Sequence, residues 1–203
     1  MKSTGCIRTT GHNSSAIVAQ SIGGTGGNGG LALSVKAAGS GQLAANIALG
    51  GKGGNGGLSD EVKVIAQKSH MSNPKDITLS TEGSNAAGIL AQSIAGSGGN
   101  GGFSVAGTAL TGGGMSVGVA LGGNAGQGAK AEKVQVTTDH NIVTTGDSSA
   151  AIVAQSVGGD GGNGGFAVSA GADIKAVTAN VTLGGKGGAG GQSGQVVVDS
   201  SGS

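Results

Sequence analysis

The chain has 203 residues, a formal net charge of +1 and 48 glycines, which is roughly three times the average glycine usage. Because Phe103 and Phe166 are its only aromatic residues, it lacks the large side chains that dominate conventional cores. Without a basic run the composition argues against nucleic-acid binding, and no apolar run approaches the ~20 residues that span a bilayer as a helix.

The first third of the chain predicts short β-strands separated by glycine clusters. A β-type lead-in at residues 7–11 (IRTTG) precedes the phrase AIVAQSIGGTGGNGG at 16–30. Residues 31–35 and 43–49 then alternate at period two, which is typical of strands. A second glycine cluster, LGGKGGNGG, follows at 49–57.

The same order of segments recurs twice more. Lead-ins at 77–83 and 142–147 precede variants of the long phrase. The shared glutamines lie 72 and 63 residues apart, at Gln20, Gln92 and Gln155. This self-similarity indicates one structural unit laid upon the next.

Further strands are predicted after the second and third copies of the phrase, at 134–137, 166–170 and 176–183. The apolar run Ala86–Ser93 has the length of about two helical turns, but its β-branched residues and flanking glycines favour a strand. Glycine recurs too often for any long helix to propagate.

These patterns predict an all-β fold, a repetitive β-solenoid like a parallel β-helix, in a single repeat domain covering 1–203. Its three units are expected at approximately 5–76, 77–141 and 142–203. Pro74 is interpreted as marking a loop insertion in the longer first interval. The repeated isoleucines are expected at equivalent positions: Ile17, Ile89 and Ile152.

Two arrangements of the glycine clusters would offset the entropy lost on ordering them. The clusters form either tight turns with positive φ or extended threefold segments of the polyglycine II type, packed side by side. Substituting valine for Gly27 or Gly162 is expected to be severely destabilising in either case. The predicted structural residues of the repeat are Gln20, Gln92, Gln155, Gly27, Gly99, Gly162, Asn28, Asn100 and Asn163. The glutamines are expected to satisfy backbone groups in a ladder.

No catalytic, cofactor-binding or metal-binding residues are predicted. The match of 24–29 to a dinucleotide fingerprint is expected by chance in so glycine-rich a chain. Residues 158–166 resemble a calcium-binding nonapeptide, but Asn163 stands at the carboxylate position. The single Cys6 is predicted to be a small buried residue. A catalytic role for Cys6 is disfavoured because the histidines, His12, His70 and His140, have no recognisable context. Combining Asp147 or Asp173 with a histidine into a triad is also disfavoured, because polar residues are expected on the solvent face of a strand.

The phrase GDSSAAIVAQSVGGDGGNGG at 146–165, with its copies at 11–30 and 83–102, resembles the glycine-rich passenger repeats of large bacterial autotransporters. These are type V secreted outer-membrane proteins. The resemblance covers essentially the whole chain. It implies an exported, elongated β-solenoid on a Gram-negative cell surface, usually adhesive or structural. Because no signal peptide and no aromatic-rich translocator barrel are visible, the chain is expected to be a passenger segment.

The sequence therefore predicts a non-enzymatic, extracellular or cell-surface structural module, an adhesin-like passenger segment without cofactors. Two alternatives stay open: a self-assembling extracellular filament subunit, and a phage tail-fibre receptor-binding tip with a polyglycine sandwich. The expected partners are other copies of the chain, or neighbouring repeats of a longer one, through poorly guarded terminal strands. A host-surface or glycan ligand is a further expected partner, whereas nucleic acid and a membrane-spanning segment are not expected.

Overall fold

The computed structural model describes residues 1–68 and 78–201, so the predicted loop at Pro74 lies outside the described residues. Those residues form β-strands and no helix, and therefore contain no helix able to span a membrane. The strands are β1 Lys2–Thr4, β2 Ile7–Thr9, β3 Ile17–Ile22, β4 Ala32–Gly39, β5 Leu43–Leu49, β6 Val62–Gln67, β7 Thr78–Thr81, β8 Ile89–Ile94, β9 Ser104–Thr111, β10 Met115–Leu121, β11 Val134–Thr138, β12 Asn141–Thr144, β13 Ile152–Val157, β14 Ala167–Ile174, β15 Val177–Leu183 and β16 Val196–Ser200.

Every pairing between these strands is parallel and joins a strand to the one five places later. The result is five small parallel sheets, ordered β1-β6-β11-β16, β2-β7-β12, β3-β8-β13, β4-β9-β14 and β5-β10-β15. We call β2–β6 unit 1, β7–β11 unit 2 and β12–β16 unit 3. Unit 2 pairs with both of the others and lies between them.

The register of the pairing follows the sequence repeat. Ile17 lies opposite Ile89, and Ile89 lies opposite Ile152, so the predicted equivalence of the three isoleucines is confirmed. The run Ala86–Ser93 contains the start of β8, as the strand prediction required. In-register pairing places the same side chain in each unit on the same face, because side chains alternate along every strand.

An apolar core lies at one end of each unit. Ile17 and Ile89, pointing inward from β3 and β8, are 1% and 0% exposed. They pack with Val64 and Val136 from the facing sheet, and with Leu79 from β7. Burial of such side chains stabilises the fold by about 1.5–3 kcal/mol each.

The middle of each unit consists of two glycine segments without strand assignment. We call residues 23–30, 95–102 and 158–165 the A segments, and residues 50–57, 122–129 and 184–191 the B segments. The A segments of units 1 and 2 each donate backbone hydrogen bonds to the A segment of the next unit at every third residue. Examples are Gly26 N–H to the Ser97 carbonyl, 2.8 Å, and Gly98 N–H to the Asp160 carbonyl, 2.7 Å.

A second set of backbone hydrogen bonds joins the A layer to the B layer. The Gly54 N–H donates to the Gly27 carbonyl, the Gly99 N–H to the Gly54 carbonyl, and the Gly126 N–H to the Gly99 carbonyl, each at 2.7–2.8 Å. The series continues with Gly162 N–H to Gly126 at 3.0 Å and Gly188 N–H to Gly162 at 2.8 Å. The A and B segments run antiparallel, since Gly51, Gly54 and Gly57 donate to Gly30, Gly27 and Gly24.

The φ angles of the clusters decide between the two predicted arrangements. Among the described glycines only Gly5, Gly41 and Gly112 have a positive φ, and none of them belongs to the A or B segments. The positive-φ arrangement is therefore wrong for these clusters. Hydrogen bonding at every third residue is the pattern expected for extended threefold segments.

Glycine is required in the A segments because the backbones approach so closely. A Cβ built on Gly99 would lie 2.0 Å from the Gly27 carbonyl oxygen, and one on Gly162 would lie 2.1 Å from that of Gly99. Gly27 is different: its Cβ would meet nothing within 4 Å, because no unit lies on its outer side. The expectation that Gly27→Val disrupts the fold is therefore wrong on steric grounds.

We expect Gly162→Val to destabilise the protein by at least about 3 kcal/mol, since a backbone carbonyl would have to move. This corresponds to a melting temperature lower by roughly 6–12 °C for a domain of this size. Gly27→Val is the matched control and should change the melting temperature of the isolated chain by less than about 2 °C. Thermal denaturation followed by circular dichroism measures both; equal effects of the two variants would contradict the assignment of buried and open glycine positions.

Candidate functional site

The three repeated glutamines form a ladder on the outer face of the β3-β8-β13 sheet. The Gln20 Nε2 donates to the Gln92 Oε1 at 2.6 Å, and the Gln92 Nε2 donates to the Gln155 Oε1 at 2.8 Å. The predicted ladder is present, but its partners differ from the expectation. The side-chain amides bond to one another and not to backbone groups, because they point away from the sheet.

The repeated asparagines form a second ladder along the exposed side of the A segments. The Asn28 Oδ1 accepts the Asn100 backbone N–H at 2.9 Å, and the Asn100 Oδ1 accepts the Asn163 N–H at 2.8 Å. On the B side, Asn55 accepts the Gln127 N–H at 3.0 Å and Asn124 accepts the Lys186 N–H at 2.9 Å. Asparagine recurs because its short amide reaches a backbone donor of the next unit.

The strands β4, β5, β9, β10, β14 and β15 form a lobe at the other end of the units, and its interior is small and polar. In unit 1 the Asn46 Nδ2 donates to the Ser34 carbonyl at 2.8 Å and to the Gly107 carbonyl at 2.6 Å. In unit 3, Ser169 and Asn180 form the equivalent pair, at 3.2 Å. Unit 2 has glycine there, because a Cβ on Gly118 would lie 2.4 Å from Ser169.

Asp173 is the acidic side chain of this interior. Its Oδ2 accepts hydrogen bonds from the hydroxyls of Ser116 and Thr178, and its Oδ1 accepts the Leu110 N–H at 2.7 Å. Donation by Ser116, then by Thr178, holds the pKa of the Asp173 carboxyl below its usual range, and the Leu110 amide adds to this against the opposing effect of desolvation. These contacts fix the lobe, and among the described residues the carboxylate has no histidine partner.

Most of the large apolar side chains of this lobe lie on its outer faces, and we call it the apolar lobe for that reason. On the β5-β10-β15 face, every outward residue is apolar: Leu43, Ala45, Ile47, Leu49, Met115, Val117, Val119, Leu121, Val177, Ala179, Val181 and Leu183. Ile47 is 62% exposed and Val181 is 55% exposed. Phe103 and Phe166 lie on the opposite side with ring centroids 4.5 Å apart, and are also exposed. Contiguous apolar surface of this kind marks interaction sites.

A polar groove of about 540 Å³ lies over the outer side of the B segments. It is lined by two ammonium groups, Lys52 and Lys186, and by the side chains of Asn55, Asn124 and Gln127. Because two of these amides are already bonded within the asparagine ladder, the lysines are its main free binding groups.

The chemically reactive residues of the described part of the chain are not brought together. The His12 Nδ1 accepts the Ser84 N–H at 3.3 Å, His140 is buried in the turn between β11 and β12, and His70 lies outside the described residues. Cys6 is exposed, so its predicted burial is wrong; alternation turns Ile7 inward beside it. Within residues 1–68 and 78–201, no three His, Cys, Asp or Glu side chains are grouped to hold a metal ion.

Comparison of the chain with protein-family models, curated proteins and solved structures finds no match. The geometry of the ladders, the apolar lobe and the groove is therefore what bears on function.

We expect Asn100→Ala to expose the Asn163 amide to solvent exchange, because it removes the oxygen that accepts that N–H. The free energy of unfolding should fall by no more than about 1 kcal/mol, since water replaces the lost bond at this exposed site. Hydrogen exchange read by NMR at Asn163 should accelerate several-fold. Asn163→Ala is the control, as its own oxygen accepts no hydrogen bond among the described residues; unchanged exchange in Asn100→Ala would contradict the ladder.

We also expect Asp173 to stabilise the protein in a pH-dependent manner. Because its folded pKa is lowered, the stabilisation is complete above the unfolded pKa of about 3.9 and is lost as the pH falls through the folded value. Asp173→Asn should thus lower the melting temperature at pH 7, and the difference from the wild-type chain should shrink in acid. A difference that is the same at pH 7 and pH 2 would contradict the role of the carboxylate.

Proposed function

We propose that the chain is a non-enzymatic structural module of an extracellular or bacterial cell-surface protein, built as a three-turn β-solenoid with a polyglycine-II-type middle layer. The observation that carries this proposal is the use made of the repeated residues. Gln92 and Asn100 are each hydrogen-bonded to their equivalents in both neighbouring units. Gly99 donates to the Gly54 carbonyl and accepts from the Gly126 N–H, and so joins the two glycine layers. An enzyme needs a unique constellation, whereas here the most distinctive residues hold identical units together.

The resemblance to autotransporter passenger repeats supports an adhesin-like role. A passenger needs a rigid, elongated scaffold that displays a contact surface, and each unit adds the same apolar surface to the lobe. Flat apolar faces favour contact with another apolar surface, because the hydrophobic effect is proportional to the apolar area removed from water. We therefore assign adhesion to the outer face of β5, β10 and β15.

A receptor-binding tip of a phage tail fibre is the second candidate. The observation that favours it is the two-layer packing of the glycine segments, which would hold the strand ends and their turns rigidly. In that case the groove between Lys52 and Lys186 is the better ligand site, since paired ammonium groups suit an acidic glycan.

The adhesive face is tested by substituting one column of outward residues that lie opposite one another: Ile47, Val119 and Val181. Beads coated with the triple serine variant should be retained on apolar surfaces and host cells at least about tenfold less than wild-type beads. This magnitude follows from burial of about 1.5–3 kcal/mol per large side chain. The melting temperature should be nearly unchanged, since these side chains point away from the interior.

The matched control replaces the two groove lysines, Lys52 and Lys186, by serine. If adhesion is lost in this control and kept in the apolar variant, the lobe is not the contact face and the glycan-binding tip gains support. Adhesion unaffected by both sets of substitutions would contradict the adhesive role.

A further inference from the structure

The two ends of the stack of units present opposite backbone groups. Between units, N–H groups of the earlier A segment donate to carbonyls of the later one, as in Gly26 to Ser97 and Gly98 to Asp160. The equivalent Gly161 N–H in unit 3 points away from unit 2, and so does the Thr25 carbonyl in unit 1. Neither has a backbone partner among the described residues. Unit 3 therefore ends in donors where unit 1 ends in acceptors.

The bonds between the A and B layers leave a second complementary set. Gly99 N–H donates to the Gly54 carbonyl of the preceding unit, at 2.8 Å. By the same geometry, the Gly27 N–H in unit 1 points outward without a described backbone partner. At the opposite end, the Gly188 carbonyl of unit 3 has no described donor. This set has its donor on unit 1 and its acceptor on unit 3.

Steric evidence points to the same two surfaces. Gly27 would tolerate a Cβ, whereas its equivalents Gly99 and Gly162 would place one 2.0–2.1 Å from a backbone oxygen. A Cβ on Gly190 would lie 3.7 Å from the nearest atom, whereas Gly56 and Gly128 would place theirs at 1.9 and 2.1 Å. Glycine costs more backbone entropy than any other residue, and the chain itself gives no steric reason for it at six end positions: Gly24, Gly27, Gly30, Gly184, Gly187 and Gly190.

We infer that a second copy of the chain stacks head to tail on the first, with its unit 3 against unit 1. This inference rests on the proposed structural role and names its partner. In the observed register, the Gly27 N–H would donate to Gly188 of the second copy, as Gly99 does to Gly54. The side-chain ladders would continue too: Gln155 of the second copy would donate to Gln20, and Asn163 of the second copy would accept the Asn28 N–H.

Strand β1 covers part of this surface. Ile65, Thr137 and Asp199 are equivalent positions in units 1, 2 and 3, since each lies opposite the next in the parallel sheet. Asp199 of the second copy would therefore lie opposite Ile65, where Lys2 of β1 now pairs. Strand β16 of the second copy would therefore reach the place of β1. Three residue pairs hold β1, whereas β16 forms five with β11, so the incoming strand displaces the shorter one. Such a contact is heterologous and leaves both outer ends open, so the assembly grows into a filament.

Two substitutions test the two ends separately. Gly27→Val blocks the unit 1 end and Gly190→Val blocks the unit 3 end, while both sites are open in the single chain. Sedimentation velocity over a concentration series should show growing rods for the wild-type chain. Each variant alone should associate at least about tenfold more weakly, because a Cβ would meet a backbone oxygen of the second copy. Gly27→Ala, with a smaller side chain, repeats the test if the valine variant unfolds.

Mixing the two variants gives the decisive result. Each retains one intact end, so an equimolar mixture should form 1:1 dimers that grow no further. Gly39→Val, at an exposed glycine in β4 with nothing within 4 Å, should assemble like the wild-type chain. Deleting residues 1–4 should strengthen assembly.

Unchanged oligomers in both valine variants, or a mixture that stays monomeric, would overturn the head-to-tail contact. Association lost only on substitution of Ile47, Val119 and Val181 would indicate lateral pairing through the apolar lobe instead. Adhesion of a strictly monomeric chain would leave the proposed function standing while this inference fails.

Discussion

The close approach of backbones in the glycine layer is the constraint on which the rest of the structure depends. With carbonyl oxygens 1.8–2.3 Å from the positions where many of these glycines would carry a Cβ, no side chain separates the A and B segments. The two sides of each unit are therefore held about one backbone layer apart. On either side of the glycine layer the interior opens only into a narrow space, and the interior side chains have to fit it.

The interior widens away from the glycine layer, and side-chain size follows it. Along β8 the inward residues are Ile89, Ala91 and Ser93, so the large isoleucine lies furthest from the glycines and the two small residues lie nearer to them. Ser93 meets Ser59 across the gap at 2.9 Å. In the lobe, the alanines Ala48, Ala106 and Ala120 lie together near the layer, and the larger Leu110 lies at the far end of β9.

This narrow spacing also accounts for the unusual polarity of the lobe. Large apolar side chains do not fit between β5 and β9 near the glycine layer, so alanine, asparagine, serine and threonine occupy most of the interior, and the polar side chains pair with one another. Apart from the buried Leu110, the leucines, isoleucines and valines of these two strands lie on the outer faces. The apolar residues that the narrow interior excludes form the contiguous exposed face to which our proposal assigns adhesion.

The repeat, the all-β character and the equivalence of Ile17, Ile89 and Ile152 were determined by the sequence alone. Period-two alternation and recurring phrases are local properties, and in-register parallel pairing preserves them in the fold. Alternation shows that a strand has two faces but does not say which face is inside. The sequence therefore could not predict that the outer face of β5 is apolar, that Cys6 is exposed, or that the interior of the lobe is polar.

Only the tertiary structure decided how the glycine clusters are used. Extended threefold segments and positive-φ turns both require glycine at the same positions, so the sequence does not distinguish the two arrangements. The observed φ angles and hydrogen-bond partners do. It also decided that Gly162 is crowded while Gly27 is open, although both stand in the same phrase. The physical reason is that a glycine is required only where another backbone lies against it, and that neighbour comes from a unit 63 or 72 residues away along the chain.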